Sequence, residues 1–263
     1  MAVRERVKEG AAGAVGAEAK RIDLANRANA PKTDYAGRLA MLSALLLPQF
    51  ALLAAGRHSG AEQLSAWFTA SVENSKEIMA SPEVILGLAM FLPERFLYTF
   101  VWVAPKLYTK MVSMIGTGPM FEPIEFLFQG FVLCKGLQAG AFIQLYLRCG
   151  VPPIWETSDF SIWQMTTGIS MMAVGQILNM WIYAAIGKKG VYYGCRLGAK
   201  IPWVYGRPFS LCPYHPQYVG AVLTIFGGVI ALATPQHCEK GWLALCAGQL
   251  VSYIYMGLVE QYL

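Results

Sequence analysis

Four stretches of this chain carry no Asp, Glu, Lys or Arg: Leu39 to Gly56, Phe160 to Gly187, Pro208 to Cys238 and Gly241 to Val259. A hydrocarbon core of ~30 Å is crossed by about 20 apolar residues in a helix. The first, second and fourth runs each suit one crossing; the third holds a loop and then one crossing. Composition agrees: 56% of the 263 residues are hydrophobic and 14% are charged, against about 25% charged in a soluble domain. The fold expected is all-α, a polytopic transmembrane helical bundle.

Two further crossings are less clean. In Glu83 to Pro105 the run is interrupted by Pro93, Glu94 and Arg95. Adjacent opposite charges in a span need an interior or headgroup location, so a broken helix crossing as two halves is expected. Pro123 to Leu147 has only Glu125 and Lys135 as charges, and both should face the bundle interior or its boundary. In the next crossing Gly168, Ser170, Ala173 and Gly175 offer small surfaces for close helix approach. The last two crossings form a hairpin that turns at Pro235 to Lys240. The count is about six crossings, with five possible, and both termini on the same side. Trp67 and Phe68, in the polar stretch Arg57 to Ser81, suit a membrane interface.

With six crossings, Lys188, Lys189, Arg196, Lys200 and Arg207 fall on the side of the N-terminal arm, in a loop without acidic residues. The positive-inside rule makes that side cytoplasmic, or its equivalent. The net charge of +5 thus belongs to loops at the lipid headgroups and not to a nucleic-acid stripe. Residues 1–36 read as a polar arm, too acidic for a transit peptide, and residues 37–89 as an extra N-terminal membrane segment.

The six cysteines form no CxxC or Cys/His pattern and read as small buried hydrophobes. His58 and His237 stand alone and read as structural. No metal-ligand spacing, no Ser/His/Asp arrangement and no dinucleotide-binding glycine pattern is present. Too few intramembrane ionisable groups line a path for a transporter.

One segment is poor material for lipid contact: Gly190 to Gly220, basic and rich in Gly and aromatic residues. Gly187, Gly190, Gly194 and Gly198 are spaced so that backbone amides can face an anionic ligand. Pro213 to Gly220 is restricted by two prolines, and His215 and Tyr218 can hydrogen-bond. That stretch is either a rigid lead into the next helix or part of a site. Glu260 ends an apolar run; it is either a helix-end carboxylate at the headgroup level or an acceptor for a ligand's cationic group. The basic loop, His215 and Glu260 are expected at one membrane face.

Gly190, Gly194, Gly198, Pro208, Phe209, Pro216, Tyr218 and Gly220 fall in register with the phospholipid N-methyltransferase family, which the segment resembles. The His-Pro-x-Tyr-x-Gly form, His215 to Gly220, is also similar to isoprenylcysteine carboxyl methyltransferases. Glu94-Arg95 and Lys135-Gly-Leu-Gln138 look like the eukaryotic branch of the family, and the resemblance covers roughly residues 90 to 261. It implies a methyltransferase-like membrane domain over 90–263. It also implies S-adenosylmethionine as cofactor, no metal, and membrane phospholipids as substrate, with no nucleic-acid partner.

By the resemblance, Glu260, His215 and Tyr218 carry the chemistry, and Gly187, Gly190, Gly194, His215, Pro216, Gly220 and Glu260 hold the cofactor. The implied activity is N-methylation of phosphatidylethanolamine or its methylated derivatives, toward phosphatidylcholine, in an endoplasmic reticulum or mitochondrial membrane. One departure stands out. The family's Glu-Glu pair is here Glu260-Gln261, and the polar tail that follows it in the family is missing. The alternative expectation is therefore a catalytically impaired homologue that serves as an accessory subunit beside other membrane-protein subunits.

Overall fold

A computed structural model describes residues 34–54, 60–156, 161–201, 204, 206–212 and 215–262. The N-terminal arm up to residue 33, His58, Pro213 and Tyr214 lie outside the described residues. Among the described residues every regular element is helical. They are α1 (Tyr35–Ala54), α2 (Gly60–Glu73), α3 (Ser75–Ala80), α4 (Pro82–Ala89), α5 (Leu92–Val103), α6 (Pro105–Ile115), α7 (Pro123–Arg148), α8 (Ile162–Val191), α9 (Pro216–Leu232), α10 (Pro235–Glu239) and α11 (Trp242–Tyr262).

Among the described residues five segments are long and apolar enough to cross a membrane: Tyr35–Leu52, Pro82–Val103, Pro123–Arg148, Ile162–Val191 and Trp242–Tyr262. The sixth expected crossing, α9, has 17 residues, about 26 Å at ~1.5 Å per residue. That is somewhat short of a full hydrocarbon core. The surface pattern is the reverse of a soluble protein's. Glu94, Arg95, Gln138, Gln164 and Gln249 are buried, while Phe96, Leu133, Ile177, Met180 and Val251 are exposed. Hydrocarbon can solvate the second set and not the first. The chain is an integral membrane protein.

The expected broken crossing is α4 followed by α5. The break falls at Met90 and Phe91, ahead of Pro93, which sits in the first turn of α5. Proline is tolerated there because the first amides of a helix have no intrahelical acceptor anyway. The terminal hairpin is α9–α10–α11, turning where expected. Trp67 differs from expectation. It is 1% exposed and its ring packs on Trp163, centroids 6.4 Å apart. Only its neighbour Phe68, 61% exposed, is free to meet an interface. The polar stretch is helical, and one face of α2 is covered by α10 and α11.

The closest helix pair is α8 with α9, antiparallel. A Cβ on Gly168 would lie 2.6 Å from the Gly227 carbonyl oxygen, and one on Gly220 would lie 2.8 Å from that of Gly175. Glycine at these crossing points lets the two backbones touch. Of the four small residues expected at this contact, Gly168 and Gly175 are buried in it, whereas Ala173 is exposed. At the far end Gln164 closes the pair: its Nε2 donates to the Ala231 and Ala233 carbonyls, at 3.2 and 2.7 Å. These are among the last carbonyls of α9, which have no intrahelical donor.

His237, in the α10 turn, is structural as expected. It stacks on Tyr146 with centroids 4.1 Å apart. Its Nε2 donates to the Tyr146 carbonyl at 3.3 Å, and Nδ1 lies 2.7 Å from the Thr234 hydroxyl. Burial lowers its pKa from the ordinary 6.5, so the ring is neutral at neutral pH. Between the lowered value and 6.5 the unfolded chain binds more protons than the folded one. Stability is thus complete above about pH 6.5 and declines as pH falls below it. Thermal melts from about pH 8 to 5 should show that decline, and His237→Gln should flatten it.

Candidate functional site

The ends of three helices converge on one carboxylate. Gly187 has φ 66°, a left-handed conformation that favours glycine, and it kinks the last turn of α8. The chain then folds back through Tyr192 and Tyr193. Tyr193 itself has φ 51°, a conformation that costs a non-glycine residue about 1–3 kcal/mol. Aromatic packing holds it there: its ring meets Tyr98 and Trp102 edge-on, at 5.0 and 5.3 Å. From this position the Tyr193 hydroxyl donates to Glu260 Oε1.

Tyr218, one turn into α9, donates to the same oxygen. His215, the residue before α9, places Nε2 3.1 Å from Glu260 Oε2. The Glu260 side chain is 6% exposed and that of His215 50%, so the carboxylate is inside and the imidazole reaches the surface. Burial, and then the neighbouring Tyr218 and Glu260, push the Tyr193 phenol well above its usual range. It therefore stays protonated and remains a donor. A buried carboxylate needs such donors, because its water shell is gone.

The basic segment is tied over this end of the bundle. Lys188 pairs with Glu125 on α7, and its ammonium lies 3.7 Å from the Phe128 ring centre. Arg196 Nε donates to the Trp102 carbonyl at 3.1 Å, and its guanidinium stacks 4.6 Å above the Trp102 ring. Arg207 pairs with Asp34, which also accepts from the Gly37 amide at 2.9 Å and so caps α1. The Arg207 hydrogen bond, then that amide, hold the Asp34 carboxyl below its usual value.

A cavity of about 260 Å³ lies beside this cluster. Its wall includes Tyr98, Lys135, Asn179, Tyr192, Tyr218 and Tyr253. Asn179 Oδ1 is a buried acceptor with no partner. A second polar group runs from this wall into the bundle around the buried Glu94. Glu94 Oε2 accepts from Lys135 at 3.0 Å, from Arg95 at 3.3 Å and from Gln138. Lys135 Nζ also donates to Gln138 Oε1 at 2.9 Å and to Tyr253 at 3.0 Å, and Gln249 donates to Gln138 at 3.0 Å.

The structure brings Glu260, His215 and Tyr218 together, with Tyr218 alone of the three on the cavity wall. Pro216 opens α9 beside them. The glycines divide. Gly187 makes the kink, and a Cβ there would meet nothing within 4 Å, so its backbone borders open space. A Cβ on Gly190 would strike Ile186 of its own helix. One on Gly194 would strike the Lys189 carbonyl, and one on Gly220 would strike Asn179 and α8. At these three positions close packing leaves no room for a Cβ. Sequence reasoning passed over Tyr193, whose only mark was its place inside the Gly-rich segment. Among the described residues no group of three or more His, Cys, Asp or Glu could hold a metal ion.

Residues 163–263 match the family described as phospholipid methyltransferase. A phosphatidyl-N-methylethanolamine N-methyltransferase from Arabidopsis thaliana is 46% identical over 55 residues, which are 21% of this chain and 33% of that protein. The chain thus spans about a third of the length of this curated relative. No solved structure matches. Tyr193, His215, Tyr218 and Glu260 all lie within residues 163–263, the segment that matches the phospholipid methyltransferase family.

Proposed function

We propose that this protein is an S-adenosylmethionine-dependent phospholipid N-methyltransferase acting on phosphatidylethanolamine or its methylated derivatives, in an endoplasmic reticulum or mitochondrial membrane. The observation that carries the reading is the convergence of Tyr193, His215 and Tyr218 on Glu260, inside the matched segment and beside a cavity. The residues present fit the cofactor. A buried carboxylate and three aromatic rings suit cationic groups, Asn179 Oδ1 lacks a donor, and the Gly187 backbone borders open space. S-adenosylmethionine, when bound, supplies a methyl group activated by a sulfonium.

The chain's residues have three tasks in this reading. Methyl transfer depends on alignment more than on acid–base strength, and in the aromatic cup Tyr193 is held against Tyr98 and Trp102 by ring contacts and beside Tyr218 by its hydroxyl. An ammonium must lose a proton before its lone pair is free. Glu260 Oε2 takes that proton and hands it to His215 Nε2, and the half-exposed imidazole releases a proton from Nδ1 to water. The apolar bundle excludes water from the reacting atoms. α5 and α7 complete the cup with Tyr98, Trp102 and Lys135, so the functional domain extends back to about residue 90.

The test is transfer of labelled methyl from S-adenosylmethionine to phosphatidylethanolamine or its monomethyl form by the purified chain. His215→Ala should weaken cofactor binding several-fold while leaving the melting temperature within about 2 °C, since exposed side chains carry little stability. A collapse of expression in that variant would make His215 a folding residue only. A second reading is favoured by one observation: both Glu260 oxygens already have partners from the chain itself. A carboxylate so closed suits an impaired homologue acting as an accessory subunit. Neither bound cofactor nor labelled lipid, together with a stable co-purifying membrane complex, would decide for it.

A further inference from the structure

The charges grouped around the buried Glu94 do not balance. Glu94 is answered by both Arg95 and Lys135, so the three carry a formal charge of +1. The Arg95 side chain is 5% exposed, yet its Nε and Nη1 have no partner. A surplus cation with idle donors is costly at membrane depth unless an anion joins it. Glu260 is not that anion, since His215 and two tyrosines already surround it.

The cavity beside Lys135 offers a place for an anion. At the cup end, α7 and α8 are joined by Lys188–Glu125 and by the Tyr192 ring against Phe128 and Phe131, at 5.3 and 5.1 Å. Deeper in, α8 packs on α9 and α1, while α7 packs on α4, α5, α6 and α11. The cavity occupies the seam left between them, with Phe131 and Lys135 on the α7 side and Gln176 and Asn179 on the α8 side. Lys135 is the cation on this wall, and its side chain is 31% exposed.

We infer that the α7–α8 seam is a lateral portal for a phospholipid and that Lys135, backed by Arg95, docks its phosphate diester there. Lys135 exchanges a neutral partner, Gln138 or Tyr253, for a phosphate oxygen, and the acyl chains stay in the bilayer between the two helices. The headgroup amine then lies toward Tyr218, which lines the same cavity and donates to Glu260. This assignment rests on the methyltransferase reading and adds the residues that select a phosphate-bearing lipid.

The test uses the full chain, purified in detergent and delipidated, with retention read by native mass spectrometry. Three probes are compared: phosphatidyl-N-methylethanolamine, diacylglycerol with the same tails, and free glycerophosphoethanolamine. The phospholipid should be held at least about tenfold more tightly than diacylglycerol, which corresponds to one retained charge contact, and far more tightly than the free headgroup. Equal retention of diacylglycerol overturns the assignment, and equal retention of the free headgroup overturns its lipid source.

Lys135→Met should bring the phospholipid-to-diacylglycerol ratio near one, and Lys135→Arg should restore it. A merely structural lysine would lower stability and leave that ratio unchanged, which would also overturn the proposal. Loss of S-adenosylmethionine retention in place of lipid would reassign Lys135 to the cofactor. Should Lys135→Met not fold, the three-probe comparison on the unaltered chain still decides. A chain that retains phospholipid selectively but transfers no methyl would sink the activity and keep the portal. Lys135→Met with unaltered lipid KM and full activity would do the reverse.

Discussion

Glu260→Gln should abolish S-adenosylmethionine binding and reduce methyl transfer by about 10²-fold or more, while the protein still folds. The substitution is nearly isosteric. The amide oxygen can still accept from Tyr193 and Tyr218, which now converge on Oε1. The amide nitrogen would face His215 Nε2, presently 3.1 Å from Oε2, and a neutral imidazole can turn that nitrogen into an acceptor. What is lost is the negative charge and with it the base. A positioned base is worth about 10²–10⁴ in rate. Titration calorimetry and labelled-methyl assays on the same preparation check both halves. Undiminished cofactor binding would remove Glu260 from the site and leave it as a helix-end carboxylate.

The membrane architecture was legible because its cause is one-dimensional. A run without charge, long enough to span, needs no partner to be recognised, and α1, α8 and α11 fall where such runs do. The paired breaks are also local: Met90–Phe91 precedes a proline, and the hairpin turn holds Pro235 and Gly241. The interior polar group was legible only in part. Glu94, Arg95 and Lys135 are conspicuous as charges within spans, but that Lys135 reaches back 41 residues to Glu94 is a property of packing. Trp67 misled for the same reason. An indole near the membrane suits an interface, and only the fold of α2 beneath α10 and beside Trp163 buries it. Tyr193 was invisible because its position depends on a left-handed backbone set by tertiary contacts with Tyr98 and Trp102.

The α8–α9 contact should be the least tolerant place in the chain, and Gly175→Leu its most damaging substitution. A Cβ at residue 175 would sit 2.5 Å from the Gly220 carbonyl oxygen and 2.8 Å from the Thr224 amide. Both are backbone atoms of a helix, so no side-chain rotation relieves the clash and the helices must separate. Overfilling a packed core costs about 1–3 kcal/mol and more where the backbone has to move; a leucine here belongs at or above the top of that range. The consequence also reaches the site. Tyr193 is delivered by the end of α8 and Tyr218 by the start of α9, and both must meet the same Glu260 oxygen. Pushing the two helices apart removes Tyr218 from that oxygen and widens the cavity behind it. The variant should melt many degrees lower and lose cofactor binding with it. Gly136→Leu, on α7, where a Cβ would meet nothing within 4 Å, should do neither. Measuring both variants by thermal melt in detergent separates a packing constraint from a general cost of enlarging membrane glycines. Equal melting temperatures would show that the α8–α9 contact relaxes more readily than its backbone distances imply.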